Sequence, residues 1–424
     1  MTGFILFETE KPQVTLSQDL QFLGSPLEIE VQATDQKSGI QQIAITLQQN
    51  EQEFQLFKKD FPRQAWLSKA GPGEIEETLT LDVQKAGGKE GDAKLTVSVH
   101  DFSLNGALQG NETALVFPVK IDTKPPRVHI EHAQQYITPG GSGIVVYSVS
   151  EPSERHGVML DDTFFQGYPL RGSTKRFIAY IALPWNSDKP EQARVIAVDQ
   201  AGNEGSTPFS MRFKSAKEKK DRINISDGFL NKKIPEFEDS YPQLNGTNLE
   251  KYLIVNRTVR VQNAEKIAVL CNNTESEQLW EGRFLRMAGA GRAGFADQRT
   301  YYYKGEPIDH QTHLGMDIAS TARVEVEAAN NGKIIFADYL GIYGNMVMID
   351  HGQGLTSLYS HLSRIAVEVG QTVEKGEVIG NSGTTGMAGG DHLHFSMLVH
   401  GIFVTPIEWW DSHWIDVNIN KIIE

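Results

Sequence analysis

The sequence predicts a mainly β protein built from three or four domains, and two observations support this prediction. Short segments such as 27–33 and 94–100 alternate apolar and polar residues. A period of two is typical of antiparallel strands that bury one face. The chain has 424 residues, which is more than a single hydrophobic core usually supports, since domains of roughly 100–200 residues are the norm.

The first half of the chain contains two strand-rich regions, 1–122 and 123–213, that share a weak internal repeat. Each region ends a strong strand with an aspartate, Asp101 and Asp199 respectively, before a turn rich in Asn and Gly. Two prolines at 125–126 favour an extended linker between the regions. The pattern resembles bacterial immunoglobulin-like repeats, and the resemblance implies two immunoglobulin-like β-sandwiches. We expect the turn aspartates to cap the backbone rather than to bind calcium.

Residues 214–281 form a region of a different kind. A mixed charge run at 214–222 suits a solvated helix or linker, and the spacing of apolar residues after it approaches 3.6. Leu249 and Tyr252 follow this spacing and predict a small helical segment, with Asn248 as its cap. An insertion in this place can be a spacer or can cover an active-site cleft, and the sequence does not decide between them.

Composition excludes several classes of protein. A net charge of −14 argues against a nucleic-acid binder, and the segment 301–424 is itself acidic, with 6 Lys/Arg against 15 Asp/Glu. Cys271 is the only cysteine, which rules out an intramolecular disulfide and a cysteine-rich zinc site. No run of about 18 apolar residues could span a bilayer. The apolar stretch 4–7 is too short for a signal-peptide core, so we expect an export signal or membrane anchor to be absent or removed.

Histidines concentrate towards the end of the chain, where eight of the twelve lie after residue 300. Three short patterns contain the ones of interest: His313-Leu-Gly-Met-Asp317, Leu358-Tyr-Ser-His361-Leu362 and Asp391-His392-Leu-His394-Phe395. In the third pattern, apolar residues alternate with His392 and His394. A strand would therefore place both imidazoles on one face, about 7 Å apart. That spacing suits one metal ligand and one catalytic partner.

The first pattern adds a carboxylate to these imidazoles. His313 and Asp317 are four residues apart, and Gly315 between them favours a loop that enters a strand. Two imidazoles and one carboxylate with an open fourth position are the ligand set of a catalytic zinc, which promotes amide hydrolysis. The sequence has no His-Glu-x-x-His helix to supply a glutamate base. A neutral imidazole is therefore the expected proton acceptor.

The stretch from about 301 to 406 resembles the lysostaphin/LytM-type zinc metallopeptidase domain, whose His-x-x-x-Asp, Tyr-x-His-Leu and His-x-His-Phe elements occur here in order. The resemblance implies an antiparallel β domain at 282–424 that hydrolyses peptide bonds of peptidoglycan, in stem peptides or cross-links. It also implies a set of residue roles. One Zn²⁺ per chain is held by His313, Asp317 and His394, the catalytic residues are His361 and His392, and further substrate contacts are Asn345, Tyr359 and Ser382. Either catalytic histidine could remove the proton while the other stabilises the oxyanion.

Two alternative functions come from other classes. The same ligand set binds Fe(II) in oxygenases. Those enzymes commonly anchor a cosubstrate with an arginine after the last ligand, whereas no arginine follows Arg364 here. A LytM-like domain can also be a non-catalytic scaffold that binds the wall or activates an amidase. Such scaffolds typically lose ligands, and all five groups are present in this sequence.

The resemblance also implies a location and partners. We expect the protein to lie in the cell envelope, either periplasmic or extracellular. Any membrane anchor would come from a segment that is missing from this chain. Peptidoglycan is the expected partner, and nucleic acid is not. The N-terminal β domains are candidates for contacts with other envelope proteins.

Overall fold

The structure is a computed structural model that describes residues 8–64, 69–105 and 110–423. Strands make up 45% of it and helices 14%, which confirms the prediction of a mainly β protein. The apolar stretch 4–7 lies outside the described residues. Within the described ranges, no helix is both long enough and apolar enough to cross a membrane.

The chain divides into two compact units. The first runs up to Arg127 and includes the segments Ser150–Arg155 and Ala197–Gly205. The second comprises Val128–Val149, His156–Ile196 and the chain from Ser206 onward.

The first unit is built from two sheets. Its elements are β1 (Gln13–Leu16), β2 (Phe22–Leu23), β3 (Leu27–Thr34), β4 (Ile40–Gln49), β5 (Gln52–Asp60), β6 (Glu74–Leu81), α1 (Val83–Ala86), β7 (Gly91–Asp101) and β8 (Glu112–Ile121). One sheet has the order β1-β3-β6 and the other the order β2-β8-β7-β4-β5. Strand β3 buries Ile29, Val31 and Ala33 on one face, as its alternating sequence predicts. Both sheets contribute side chains to one hydrophobic core.

The turn aspartates are bound to the backbone. Asp101 ends β7, and its Oδ1 accepts hydrogen bonds from two backbone N–H groups at 2.9 and 2.7 Å. The Oδ1 of Asp199 accepts two more, both at 2.9 Å. The expectation that these residues cap the backbone is confirmed.

The region after residue 127 continues with strands. They are β9 (Val128–Ala133), β10 (Tyr136–Ile137), β11 (Ser142–Val149), β12 (Arg155–Leu160), β13 (Thr163–Gln166), β14 (Tyr168–Pro169), β15 (Arg176–Ala182), β16 (Ala193–Val198), β17 (Glu204–Pro208) and β18 (Arg212–Phe213). Two four-stranded sheets, β14-β15-β11-β9 and β13-β12-β16-β17, and the pair β10-β18 result. The immunoglobulin-like character of both β regions stays a prediction.

The segment expected to be helical begins with a strand, β19 (Lys220–Ile225), which pairs in parallel with β21 (Asp297–Tyr303). Its helices are α2 (Asp227–Lys233), α3 (Pro235–Glu238), α4 (Asn248–Ile254) and α5 (Arg260–Leu270), with a π turn at Val255–Val259 between the last two. Asn248 as the cap is wrong. Thr247 caps α4 instead, because its Oγ1 accepts from the Glu250 N–H and the Glu250 carboxylate accepts from the Thr247 N–H.

The C-terminal region is organised around an eight-stranded sheet. The elements not yet given are β20 (Ala290–Ala293), β22 (Glu306–His313), β23 (Met316–Ala319), β24 (Glu325–Glu327), β25 (Gly332–Tyr339), a 3₁₀ turn (Gly341–Tyr343), β26 (Asn345–Asp350), β27 (Leu355–Leu362), β28 (Arg364–Ile365), β29 (Thr372–Val373), β30 (Val378–Asn381), β31 (Leu393–Val399), β32 (Ile402–Val404), α6 (Pro406–Trp410), α7 (Ser412–Ile415), a π turn (Asp416–Asn420) and α8 (Lys421–Ile423). The sheet has the order β20-β23-β31-β27-β26-β25-β29, with β32 beside β31.

Strand pairing in this sheet brings the histidine patterns together. All of its pairs are antiparallel. Strand β31 lies between β23 and β27, and their registers place His394 opposite Asp317 on one side and opposite Ser360 on the other. Two smaller sheets have the strand orders β24-β30-β28 and β19-β21-β22. Sequence patterns 80 residues apart therefore meet on adjacent strands.

Candidate metal centre

Three of the predicted residues converge on one point. His313 is the last residue of β22, Asp317 is the second residue of β23, and His394 is the second residue of β31. The expectation that a loop joins His313 to a strand carrying Asp317 is confirmed. His313 Nε2, Asp317 Oδ1 and His394 Nδ1 lie 2.9 Å from one another in all three pairs. Their side chains are all buried.

The outer hydrogen bonds of both imidazoles fix their tautomers. His313 Nδ1 lies 2.7 Å from the Gly294 carbonyl oxygen. A carbonyl can only accept, so Nδ1 carries the proton and Nε2 faces the centre with a lone pair. On the other ring, Ser396 Oγ donates to the Leu314 carbonyl (2.8 Å) and therefore accepts from His394 Nε2 (3.1 Å). His394 Nδ1 consequently also presents a lone pair to the centre.

Asp317 is held from outside by Arg299. The guanidinium Nη2 donates to Asp317 Oδ2 at 3.0 Å, which leaves Oδ1 towards the two imidazoles. Burial acts to raise the pKa of Asp317, but the neighbouring histidines hold that pKa well below its ordinary value. The carboxyl group is therefore an anion at neutral pH.

The other two predicted histidines lie beside this group. The ring centroid of His361 is 4.8 Å from that of His392 and 5.8 Å from that of His394. His361 Nδ1 donates to the Thr385 carbonyl (2.9 Å), and His392 Nδ1 donates to the Gly390 carbonyl (2.8 Å). Each Nε2 atom is therefore the unprotonated nitrogen when the ring is neutral. His392 Nε2 lies 3.6 Å from Asp317 Oδ1.

The two flanking histidines differ in charge preference. Burial is the main cause that lowers the pKa of His361 well below its ordinary value, and the neighbouring histidines lower it further. Burial also acts to lower the pKa of His392, but contact with the Asp317 carboxylate outweighs it and raises that pKa. His361 also has a φ of 64°, a left-handed conformation that a non-glycine residue seldom adopts. Strain of this kind is common at functional sites.

Residues 311–406, which contain all five of these side chains, match the sequence pattern of Peptidase family M23. Residues 311–406 are an M23 peptidase domain. The predicted resemblance to lysostaphin/LytM-type metallopeptidases is thereby confirmed. The M23 domain makes up less than a quarter of the chain, so it leaves the role of the upstream residues undefined.

Relatives of the M23 domain carry several names. The chain is 41% identical over 107 residues to "DD-carboxypeptidase/endopeptidase Mpg" of Neisseria meningitidis serogroup B, covering 25% of each protein. It is 38% identical over 89 residues to "Peptidoglycan DD-endopeptidase ShyA" of Vibrio cholerae, covering 21% of each. It is also 37% identical over 111 residues to "Murein hydrolase activator EnvC" of Escherichia coli, covering 26% of each. The matches thus span about a quarter of the length of these relatives.

The chain also shows some similarity to solved structures. A putative peptidase M23 from Pseudomonas aeruginosa has a TM-score of 0.41 at 22% identity and covers 65% of this chain and 95% of that one. The catalytic domain of lysostaphin from Staphylococcus simulans has a TM-score of 0.25 at 28% identity and covers 29% of this chain and 92% of that one.

The predicted substrate contacts occupy interior positions in the M23 domain. Tyr359 is 1% exposed, and its hydroxyl accepts from the Ala329 N–H at 2.7 Å. Ser382 is also 1% exposed and donates to Asp391 at 2.6 Å. Asn345 Nδ2 donates to the Leu362 carbonyl at 3.0 Å. Burial argues against substrate contact by Tyr359 and Ser382. The hydrogen bond from Asn345 stabilises the end of β27, next to His361.

A groove with a volume of about 530 Å³ opens onto the metal centre of the M23 domain. Its lining includes the site residues His313, Asp317, His361, His392 and His394. Residues from upstream of the M23 domain also line it, among them Trp185, Ile223, Asn224, Ile225, Phe229, Tyr252, Arg260, Val261 and Ala264. The segment 220–271 is therefore a wall of the groove rather than a remote spacer.

Several supporting residues were not foreseen from the sequence. Ser396 lies two residues after His394 on the same strand face, so the period of two could have identified it. Arg299 meets Asp317 across separate strands and carries no local pattern. Thr385 acts through its backbone carbonyl, which any residue possesses, and so left no signal either.

Proposed function

We propose that the chain is a zinc-dependent endopeptidase that hydrolyses peptide bonds in peptidoglycan. The observation that carries this proposal is the convergence of His313, Asp317 and His394, with two further imidazoles beside them, at the floor of an open groove. This is the donor set of a catalytic zinc, three protein ligands with a free position.

The protonation of the three converging atoms supports a bound cation. Two imidazole lone pairs and a carboxylate oxygen lie 2.9 Å apart, and the outer hydrogen bonds place both imidazole protons elsewhere. Such atoms repel one another unless a positive ion lies among them. Imidazole and carboxylate ligands suit zinc, which supplies Lewis-acid polarisation of a carbonyl and lowers the pKa of a water molecule. His313, Asp317 and His394 would hold one such ion.

His361 and His392 are proposed as the catalytic pair. Both face the open side of the centre with an unprotonated Nε2, held there by hydrogen bonds from Nδ1 to backbone carbonyls. One Nε2 accepts the proton of the attacking water, and the protonated form of the other donates to the developing oxyanion. Because both rings are already held in position, they need not reorganise during the reaction, whereas water molecules in the same role would.

Peptidoglycan as the substrate is supported by the names of relatives, two of which act as DD-endopeptidases. The groove, with a volume of about 530 Å³ and a lining rich in apolar and aromatic residues, suits a peptide. We propose accordingly that the protein works in the cell envelope, outside the cytoplasmic membrane. Contacts between its N-terminal β regions and other envelope proteins belong to the same proposal.

The test is digestion of purified sacculi by the zinc-loaded chain, with fragments separated by mass spectrometry. We expect loss of cross-linked dimers with the parent and at least a 10²-fold slower loss with His361→Ala or His392→Ala. His310→Ala is the matched control, because His310 lies in β22 of the same region, is exposed and contacts Thr300 instead of the centre. Removal of zinc with a chelator should abolish cleavage, and added zinc should restore it.

The second candidate function is activation of another wall hydrolase without catalysis, which the relative named as a murein hydrolase activator favours. The two proposals separate on one comparison. A hydrolase loses its effect on sacculi in the His361→Ala variant when no second enzyme is present. An activator has no effect alone, and its stimulation of an added amidase survives this substitution.

A further inference from the structure

The part of the groove wall that lies upstream of the M23 domain in sequence carries one positive charge without a carboxylate partner. Apart from histidines, the charged side chains that line the groove are Arg260, Arg299 and Asp317. Arg299 is paired with Asp317 at 3.0 Å, and Asp221 lies 3.9 Å from its Nε. Among the described residues, Arg260 has no carboxylate within 4.0 Å. The wall therefore offers a guanidinium whose charge the protein leaves uncompensated.

Arg260 is held in place by the helix itself. Its Nε donates to the Asn256 backbone carbonyl at 3.1 Å, and its Nη2 donates to Asn256 Oδ1 at 2.6 Å. A guanidinium has five N–H donors, so these two bonds leave donors for another acceptor. Ordering a long basic side chain on binding normally costs conformational entropy. The two bonds to Asn256 already restrict the rotation of Arg260, so less entropy remains to be lost.

The residue that holds Arg260 is itself bonded to the strand that carries His313. Asn256 is fully buried in the π turn before α5, and its Nδ2 donates to Asp309 Oδ2 at 2.8 Å. Arg257 Nε binds the other oxygen of the same carboxylate at 3.0 Å. Asp309 lies in β22, the strand that ends at His313. The guanidinium is therefore fixed relative to a metal ligand by a continuous set of hydrogen bonds, and π turns are frequent at functional sites.

We propose that Arg260 binds a free carboxylate of the peptide substrate and thereby sets which peptides the groove accepts. This inference rests on the proposed peptidase function of the same site. A planar guanidinium with donors to spare matches the two oxygens of a carboxylate. The carboxylate is either the C-terminus of the peptide or a side chain, since both present the same two oxygens.

The experiment measures binding to the full, zinc-loaded chain carrying His361→Ala, which prevents turnover. Three synthetic peptides of one peptidoglycan stem sequence serve as probes: one with all carboxylates free, one amidated at the C-terminus and one amidated at its side-chain carboxylates. Titration calorimetry gives Kd for each, in this background and with Arg260→Met, Arg260→Lys or Lys266→Met added. Lys266 is the matched control because it lies in the same helix, is exposed and carries the same charge.

We expect one of the two amidations to weaken binding about tenfold, consistent with loss of a charge-assisted hydrogen bond, and the affected peptide identifies the source of the carboxylate. Arg260→Met should remove this discrimination, Arg260→Lys should retain part of it, and Lys266→Met should leave it unchanged. The inference is overturned if the three peptides bind equally, if none binds, or if Arg260→Met still discriminates. Digestion of sacculi by the parent decides the proposed function separately, because it does not depend on peptide preference.

Discussion

Gly315 lies where the metal centre leaves no room for a side chain. A Cβ atom at this position would lie 2.6 Å from His394 Cε1 and Nε2 and from Ser396 Oγ. Real Cβ atoms do not approach other heavy atoms so closely, so an added methyl group must displace the His394 ring or the loop that follows His313. The glycine that the sequence offers as a loop signal is thus required for packing of the two metal-binding strands.

Gly315→Ala should therefore weaken zinc binding at least tenfold and lower the rate of sacculus digestion accordingly, because the ligand triangle is disturbed. Competition with a zinc chelator of known affinity gives the binding change. Gly228→Ala is the control, since Gly228 is exposed in α2 and its Cβ would be 3.9 Å from its nearest neighbour. Equal zinc affinity in the two variants would show that the loop accommodates the added methyl group without weakening zinc binding.

Single residues were predictable where the sequence repeats a local pattern. The four histidines and Asp317 that were predicted as site residues do meet, because strand alternation and the short loop at Gly315 constrain them. Tyr359 was expected to contact substrate, but its side chain is buried and its hydroxyl accepts from the Ala329 N–H. Arg260 and Arg299 depend on distant partners, which no local pattern reveals.

At the scale of elements, helix α2 is joined to the loop that orients His361. Lys233 is buried at the end of α2, and its Nζ donates to the Thr384 carbonyl and, at 2.9 Å, to Glu236. The next residue, Thr385, provides the carbonyl that accepts from His361 Nδ1. A helix outside the M23 domain thus fixes the backbone that sets the tautomer of His361, the proposed catalytic histidine.

Lys233→Met should lower kcat for cross-link cleavage about tenfold while the zinc content stays near one ion per chain, because the ligands are untouched and only the His361 loop is released. Lys232→Met is the matched control, since Lys232 lies in the same helix and is exposed. Activity and zinc content by atomic absorption check the two halves of the prediction. Joint loss of zinc and activity would show instead that α2 supports the whole centre.

Elements were foreseen to different degrees for physical reasons. Strands that bury one face, such as β3 and β7, are predicted by the alternation of apolar and polar residues along them. Strand β19 follows a charge run and was taken as part of a helical segment, although Ile223 and Ile225 already alternate with polar residues. Its pairing partner, β21, starts more than 70 residues later. Such a pairing depends on tertiary contacts that the local sequence does not encode.

At the scale of the molecule, most of the second β region shares one compact unit with the M23 domain. The Thr405 N–H donates to the Gly140 carbonyl at 2.7 Å, and the Tyr168 and His400 rings stack at 5.9 Å. Trp185 from the same region lines the groove. The sequence predicted these as separate stretches, and nothing in their local patterns indicates that they share a surface. A substrate in this groove would therefore meet Trp185, which lies more than 100 residues before His313.

This packing contains a carboxyl group that should make stability depend on pH. Glu408 in α6 accepts hydrogen bonds through Oε2 from the Ser142 N–H (2.9 Å) and Oγ (2.8 Å). Burial raises the pKa of Glu408 from 4.5 to about 7, although the Ser142 hydrogen bonds act to lower it. The folded chain therefore keeps this proton up to about pH 7, whereas the unfolded chain loses it near 4.5. Its contribution to stability is fully present below pH 4.5 and is lost as pH rises towards 7.

Glu408→Gln should remove this dependence, because the amide oxygen still accepts from Ser142 and cannot ionise. Between pH 4.5 and 7, the free energy of unfolding of the parent should fall relative to that of the variant by about 1–2 kcal/mol, less than the full pKa difference implies because Glu408 is not completely shielded. Chemical unfolding of both proteins in chelator, at several pH values, measures the difference without zinc. Glu306→Gln, an exposed change of equal charge, is the control. Parallel pH profiles for parent and Glu408→Gln would mean that Glu408 ionises in the folded protein as it does in the unfolded one, and that the contact between Ser142 and α6 is insensitive to pH.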